Sequence, residues 1–499
     1  MSLRRRIIYF TALLSSIFIF VQAILFYISI TKSESTSGIK RQLFEQPHVA
    51  SNFLKNSINN KTALKERERK LTINGKPKKS VVGKYSKTLQ NWPDVSDIGG
   101  DSRIQYHISG SEFHKRWDVN CTKIINGEQP YVHDVYAMLE DHRDIEKNLP
   151  VPDDIDVLSW MADCDEYKAR RKYPTKPFSK EEGDFPLAYI IVTHKESAQL
   201  ERLLRAIYHP QNVYCVHPDA KSPHAFHSVV HKLSECFDNV FVASKLESVQ
   251  YAGYTRLLAD INCMDDLLRR PEPWKYAMNM CAQDFPLKTN LEIVQQLKMY
   301  KGHNDINGIL PPRYIQSRTR FIYRTTLTGK LTSTAKRKTN PPHGLTIYFG
   351  NAYYAATRRF VNYIINDQVA IDLLRWSNDT YSPDEHYWVT LQRDKRTPGG
   401  YPNATWDENV RFMKWGDIPK HPPCKGKYVR GLCVFGVGYM EYLTRQPHLL
   451  ANKFYYSFDP ITLQCIEELL DYRTAYPETV NIFQNFPITD MVWQNHIAF

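Results

Sequence analysis

The sequence predicts an α/β domain on a mainly parallel, Rossmann-like sheet, set behind an N-terminal membrane span and a flexible stem. Three observations carry this expectation. Short apolar runs alternate with helical periodicity after Pro186, an uncharged apolar stretch opens the chain, and the segment between them has no apolar period. The chain has 499 residues, 42% hydrophobic and 13% aromatic, enough for a large core and too apolar for a wholly disordered chain. A formal net charge of +12 admits nucleic acid, an anionic membrane or a phosphorylated ligand and does not choose among them.

In chain order, residues 1–6 read as a cytoplasmic tail carrying Arg4, Arg5 and Arg6, and residues 7–30 run without one charge. At about 1.5 Å per residue, such a helix crosses a hydrocarbon core of about 30 Å. A signal peptide cleaved after Ala23 is the alternative, but the apolar run continues past that point. The arginines keep the amino end cytoplasmic, so everything after Ile30 is expected to be lumenal. Sequons at Asn60, Asn120, Asn378 and Asn403 agree with that side as N-glycosylation sites. Residues 31–105, rich in Ser, Lys, Asn and Thr, read as the stem, and the basic run 65–79 within them as a solvated tether, with a membrane or polyanion patch as the alternative. Residues 106–499 are the lumenal domain. Nine cysteines in an oxidising compartment imply several disulfides and one free thiol.

Leu187 to Thr193 reads as a buried strand, and Leu200, Leu203, Leu204 and Ile207 follow at helical spacing. The pattern repeats with strands at 213–216, 240–243 and 275–280 and helices from about 224 to 234 and about 254 to 268. This β-α-β-α-β-α-β order builds a sheet whose ligands bind beyond the strands' carboxyl ends, where His194, Asp219 and Tyr251 fall. No G-x-G-x-x-G follows the first strand and no P-loop occurs, which disfavours dinucleotide oxidoreductases and P-loop ATPases. Asp219 suits a ribose or base hydrogen bond, or simply the turn of its His-Pro-Asp; His194 and Tyr251, taken singly, are more often structural.

A lumenal α/β domain with a nucleotide site suggests a nucleotide-sugar transferase. Many hold a metal through a D-x-D at a strand end, but Asp154-Ile155-Asp156 and Asp163-Cys164-Asp165 both precede the sheet. The diphosphate then falls to cations of the chain, with Arg430 and Lys453 as candidates. Glu385, in Ser382-Pro383-Asp384-Glu385, fits a capping box for its own helix, or a base that takes a proton from a sugar hydroxyl.

Four segments carry a resemblance: 205–212 (RAIYHPQN), 236–244 (CFDNVFVAS), 379–385 (DTYSPDE), and 433–436 (CVFG) with 451–454 (ANKF). With the cysteine spacing, they are similar to the core 2 type β-1,6-N-acetylglucosaminyltransferases, family 14 of the glycosyltransferases, which branch mucin-type O-glycans. The resemblance spans Pro186 to about Cys465. It implies a GT-A type fold and an inverting, metal-independent transfer from a UDP-sugar to a glycan or glycoprotein acceptor, by a single-pass type II Golgi membrane protein without cofactor or nucleic-acid partner. Val192, Thr193, His194, Asp219, Lys221 and Tyr251 would hold the uridine nucleotide, Arg430 and Lys453 the diphosphate, and Glu385 would be the base. The family spacing pairs Cys121 with Cys465, Cys164 with Cys236, Cys215 with Cys263 and Cys424 with Cys433, leaving Cys281 free.

The departures concern specificity. Asn307 stands where leukocyte-type relatives carry an acceptor-binding Glu, and Gly416 replaces the usual acceptor Tyr after Trp415, in a shortened segment before Cys424. Asn307 and Trp415 are the acceptor-binding candidates, and Galβ1,3GalNAc as acceptor is left open. UDP-GlcNAc is the expected donor, with UDP-glucose, UDP-xylose or a glycan-binding protein without turnover as alternatives. The basic stretch 313–338 reads as a solvated loop, with contact to acidic glycans as the other reading.

Overall fold

The computed structural model describes residues 113–146, 149, 151–402, 410–416 and 422–479. The expected tail, span and stem, with Asn60 and Asn403, lie outside the described residues, among which no helix is long and apolar enough to cross a membrane. Asn120 and Asn378 are both exposed.

Four strands appear where the apolar runs stand: β1 (Leu187–Thr193), β2 (Val213–Pro218), β3 (Val240–Val242) and β4 (Tyr276–Cys281). β1 is buried at every residue, and its two faces feed separate cores. Leu187, Tyr189 and Ile191 join a cluster with Leu203 and Phe226 from helices Ser197–Ile207 and His224–Cys236. Ala188, Ile190 and Val192 join another with Leu257 and Met264 from helix Tyr254–Arg269. A strand covered on both faces shows a continuous apolar run rather than alternation.

β1, β2, β3 and β4 are all parallel, and the order is β4-β1-β2-β3. The chain steps outward from β1 to β3 and returns to the far side of β1, so the strand order reverses between β1 and β4. That reversal opens a crevice at their carboxyl ends. One feature departs from the expected pattern: Ala355–Thr357 adds an antiparallel edge strand to β4. Its three residues are too few to show a period. A second sheet of Arg411–Met413, Leu450–Asn452 and Asp284–Pro286 follows β4. It is pinned by Asp284, which pairs with Arg411 at 3.0 Å and accepts from Asn452 Nδ2 at 2.8 Å.

Behind the sheet, Glu201 is fully buried between Arg171 (2.6 and 2.9 Å), His114 (2.7 Å) and the Tyr167 hydroxyl (2.7 Å). Disulfides Cys121–Cys465, Cys164–Cys236, Cys215–Cys263 and Cys424–Cys433 are formed, and Cys281 is free. Cys121–Cys465 ties helix Cys121–Asn126 to helix Pro460–Ala475 across 344 residues of sequence, where the entropic benefit of a crosslink, typically about 2–4 kcal/mol, is expected to be largest.

Two local readings are corrected. The stretch 313–338 is not a loop: it forms the short helix Ser317–Arg320 and a hairpin of Phe321–Thr325 with Leu331–Arg337. The first strand opens on the consecutive apolar residues Phe321, Ile322 and Tyr323 and the second is mostly polar and exposed, so neither shows the apolar alternation that announces a strand. The capping box at Ser382 is not formed either. Ser382 has φ +46° and makes no side-chain cap, and residues 383–385 form a single 3-10 turn before helix Tyr387–Gln392. The aspartate pairs ahead of the sheet serve helices: Asp154 and Asp156 lie in the first turn of helix Asp154–Trp160, and Asp163 caps helix Cys164–Arg170.

Candidate active site

The expected nucleotide residues gather at the carboxyl ends of β1 and β2. Val192 and Thr193 end β1, both buried, and the Thr193 hydroxyl has no hydrogen-bond partner. Asp219, one residue past β2, is tied to β1 by its N–H, which donates to Thr193 O at 2.8 Å. Its carboxylate accepts from the N–H groups of Lys221 (2.9 Å) and Val249 (3.3 Å) and pairs with Lys221 Nζ at 3.3 Å. Asp219 is therefore both turn residue and organiser of the loop leading to Tyr251. His194 is exposed, and its carbonyl accepts from Ser222 Oγ at 2.8 Å. Its surroundings still desolvate the ring in part, and that effect and the nearby Lys195 lower its proton affinity. Tyr251 is 68% exposed, which excludes a core role.

The cations approach this edge from the carboxy-terminal third. Arg430 and Gly431 form the two-residue turn of a hairpin between Lys427–Val429 and Leu432–Val434, at φ +53° and +81°. Positive φ at both positions is the turn that matches the twist of paired strands. The turn holds the Arg430 guanidinium 4.7 Å from the Tyr251 ring centre. Lys453 directly follows strand Leu450–Asn452, and its carbonyl accepts from Phe435 N–H at 2.9 Å. Lys453, Lys195 and Lys427 ring Tyr455 at 5.6, 5.7 and 5.8 Å from its centroid. Burial and the nearby Arg430 both lower the proton affinity of Lys453, opposed by Cys281. Like charges crowded this way favour a bound anion. Among the described residues, no three His, Cys, Asp or Glu side chains converge as metal ligands.

Glu385 reaches the same place from another direction. Ser382 N–H donates to Ala252 O at 2.8 Å, joining the 3-10 turn to the residue after Tyr251. Glu385 pairs with Arg318, whose guanidinium also lies 5.3 Å from the Tyr381 ring and 5.5 Å from Phe349. The Glu385 side chain keeps 31% of its surface open, yet enough protein surrounds it that burial, then Asp384, push its proton affinity up to about 7, against the pull of Arg318. Asp384 is itself buried and raised by that burial, with Arg256 holding it down. His386, also buried, falls to about 4, and its Nδ1 lies 2.9 Å from Tyr348 O. A carboxyl group poised near neutrality at the same edge as a cluster of cations is suited to accept a proton.

A family model described as Core-2/I-Branching enzyme matches residues 187–444, which hold β1 to β4, the Glu385 turn and the Arg430 hairpin. The chain belongs to the Core-2/I-branching enzyme family. Among similar proteins, a human N-acetyllactosaminide β-1,6-N-acetylglucosaminyl-transferase is 51% identical over 61% of this chain and 77% of its own length. A mouse β-1,3-galactosyl-O-glycosyl-glycoprotein β-1,6-N-acetylglucosaminyltransferase 3 is 44% identical over 72% of this chain and 84% of its own.

In this branching enzyme the two acceptor candidates flank the cluster. Asn307 is buried, its side-chain Nδ2 has no partner, and it precedes Gly308–Ile309, which pairs with Phe349–Gly350 beside Arg318. Trp415, 37% exposed, bridges to Leu432 next to the Arg430–Gly431 turn; residues 417–421 after it lie outside the described residues. Sequence reasoning missed Arg318, Asp384 and Tyr381. Arg318 lies 67 residues from Glu385, and only the lack of any acid in 313–338 hinted that its arginines pair elsewhere.

Proposed function

We propose that this branching enzyme transfers N-acetylglucosamine from UDP-N-acetylglucosamine to a 6-hydroxyl of a glycan acceptor with inversion, in O-glycan branching. The observation that carries the reading is Glu385, raised to about 7 and hydrogen-bonded through its turn to the loop that holds Tyr251 under Arg430. In a single displacement, the acceptor oxygen bonds to the anomeric carbon as the bond from that carbon to the UDP oxygen breaks. Glu385 takes the hydroxyl proton, and Arg430 and Lys453 stabilise the charge left on UDP. The diphosphate charge is met by side chains, so no metal is required. Val192, Thr193, His194, Asp219, Lys221 and Tyr251 line the nucleotide end, and Asn307 and Trp415 the acceptor end. The unpaired amide of Asn307 supports the latter, because a buried donor without a partner is costly unless a ligand or water completes it.

The fold in this reading is of GT-A type. Residues 7–30 anchor the chain in the Golgi membrane, residues 31–105 are the stem, and residues 106–499 form the lumenal catalytic domain. The decisive experiment offers UDP-GlcNAc, UDP-glucose and UDP-xylose to the full-length protein in detergent with excess EDTA. Galβ1,3GalNAc and N-acetyllactosamine serve as acceptors. β1,6-linked GlcNAc on either acceptor is the expected product. A preference for another donor, or activity that returns only with added manganese, would overturn the donor or the role given to the two cations.

A further inference from the structure

The hairpin Phe321–Thr325/Leu331–Arg337 has no part in the chemistry above. Residues 313–338 carry eight Lys and Arg and not one Asp or Glu. Two of these cations are neutralised, Arg318 by Glu385 and Lys338 by Asp379. The other six, Arg313, Arg320, Arg324, Lys330, Lys336 and Arg337, are exposed and have no carboxylate partner among the described residues. They equal half the formal net charge of +12 of the whole chain, gathered within residues 313–338, on the hairpin and just ahead of it.

The element is pinned to both halves of the candidate site. Near its tip, Gln250 Nε2 donates to Gly329 O at 3.0 Å and Thr325 Oγ1 donates to Gln250 Oε1 at 2.8 Å, one residue before Tyr251. At its base, Tyr323 packs on Tyr381 with ring centres 5.3 Å apart, and Arg318 grips Glu385. The hairpin is thus a cationic wall along the rim, from the donor loop to the base. Its charges repel one another, and a bound anion offsets that repulsion. The donor diphosphate already has Arg430 and Lys453. The remaining molecule that must lie against Glu385 is the acceptor.

We propose that this hairpin binds acidic groups, carboxylate or sulfate, on the acceptor glycan beyond the sugar being modified, so that acidic glycans are the preferred acceptor class. The inference rests on the reading of Glu385 as the base of a glycan transferase. It is tested with the full-length protein in detergent and three versions of one acceptor: neutral, sialylated and sulfated. Wild type is compared with the variant Arg320→Gln/Arg324→Gln/Lys330→Gln/Lys336→Gln/Arg337→Gln and with the milder Lys330→Glu/Lys336→Glu, each checked by thermal melt.

The expected result is a wild-type preference for acidic acceptors that fades with salt. In the fivefold variant, kcat/KM on those acceptors should fall about tenfold, mostly through KM, while the neutral acceptor stays within about twofold. A loss confined to the sialylated or to the sulfated acceptor supports the proposal and names the group that is read. Equal losses on all three acceptors, or no wild-type preference, overturn it. So does an unchanged acceptor ratio accompanied by lost binding to phosphatidylserine vesicles, which would assign the charge to a membrane surface. If no acceptor is turned over, the transferase reading fails on its own. Calorimetric binding of the same glycans to wild type and variant then decides the hairpin's role: weaker binding of the acidic forms to the variant supports it, and equal binding overturns it.

Discussion

Glu201 and Glu385 are both carboxylates enclosed by protein and paired with an arginine, and they have opposite fates. Burial by itself would raise the proton affinity of Glu201, but Arg171 and His114 outweigh it and hold this carboxyl well below the usual carboxylate range. At Glu385, burial and Asp384 outweigh Arg318, and the carboxyl rises to about 7. What differs is the count of donors. Glu201 meets a two-point guanidinium contact, an imidazole and a phenol, whereas Glu385 has one guanidinium beside another acid. A fully satisfied carboxylate is a fixed structural anion, and an under-satisfied one can take up and release a proton.

The signs for stability follow. Glu201, lower in the folded state, contributes stability above its unfolded value of about 4.3 that is lost as pH falls. Glu385, higher in the folded state, contributes stability below that value that is lost as pH rises through about 7.

The comparison breaks first at the base itself. Glu385→Gln should lower kcat at least about 10²-fold while UDP affinity stays unchanged and the melting temperature at neutral pH does not fall. Near-normal turnover would remove Glu385 from the chemistry. The converse variant, Glu201→Gln, should leave the kcat of folded protein unchanged but cost about 3–5 kcal/mol of stability, since Arg171 is left buried without its counter-charge. Denaturant unfolding that found less than about 1 kcal/mol would show that the cluster is not the anchor described above.

Smaller effects sharpen the contrast through pH. The wild-type kcat/KM should rise with pH through about 7 and level off above it, as Glu385 ionises. Arg318 favours the charged form, so Arg318→Gln should move that rising limb to higher pH and cost more activity on the acid side than on the alkaline side. Asp384 disfavours the charged form, so Asp384→Asn should move the limb to lower pH. Limbs that stay in place in both variants would show that another group controls the profile.

Much of the scaffold was legible in the residues. β1 to β4 and the helices between them announce themselves because burial on both faces leaves an unbroken apolar run and packing on a sheet leaves a 3.6-residue period. The placement of His194 and Asp219 just past strand ends followed from that alternation alone. The cysteine pairs and the special status of Glu385 came from family resemblance; the local pattern at 382–385 pointed to a helix cap that does not form.

What remained was decided by tertiary structure. Arg318 and Glu385, Tyr251 and Arg430, and Gln250 and Gly329 are partners between 67 and 179 residues apart. Hydrophobic periodicity records which face of an element is buried and says nothing about which distant polar group it meets. A charged side chain looks the same in the sequence whether it ends in water, in a satisfied cluster like that of Glu201, or beside an acid like Asp384. The proton affinity of Glu385 is set by those long-range neighbours, which the sequence names but only the fold brings within reach.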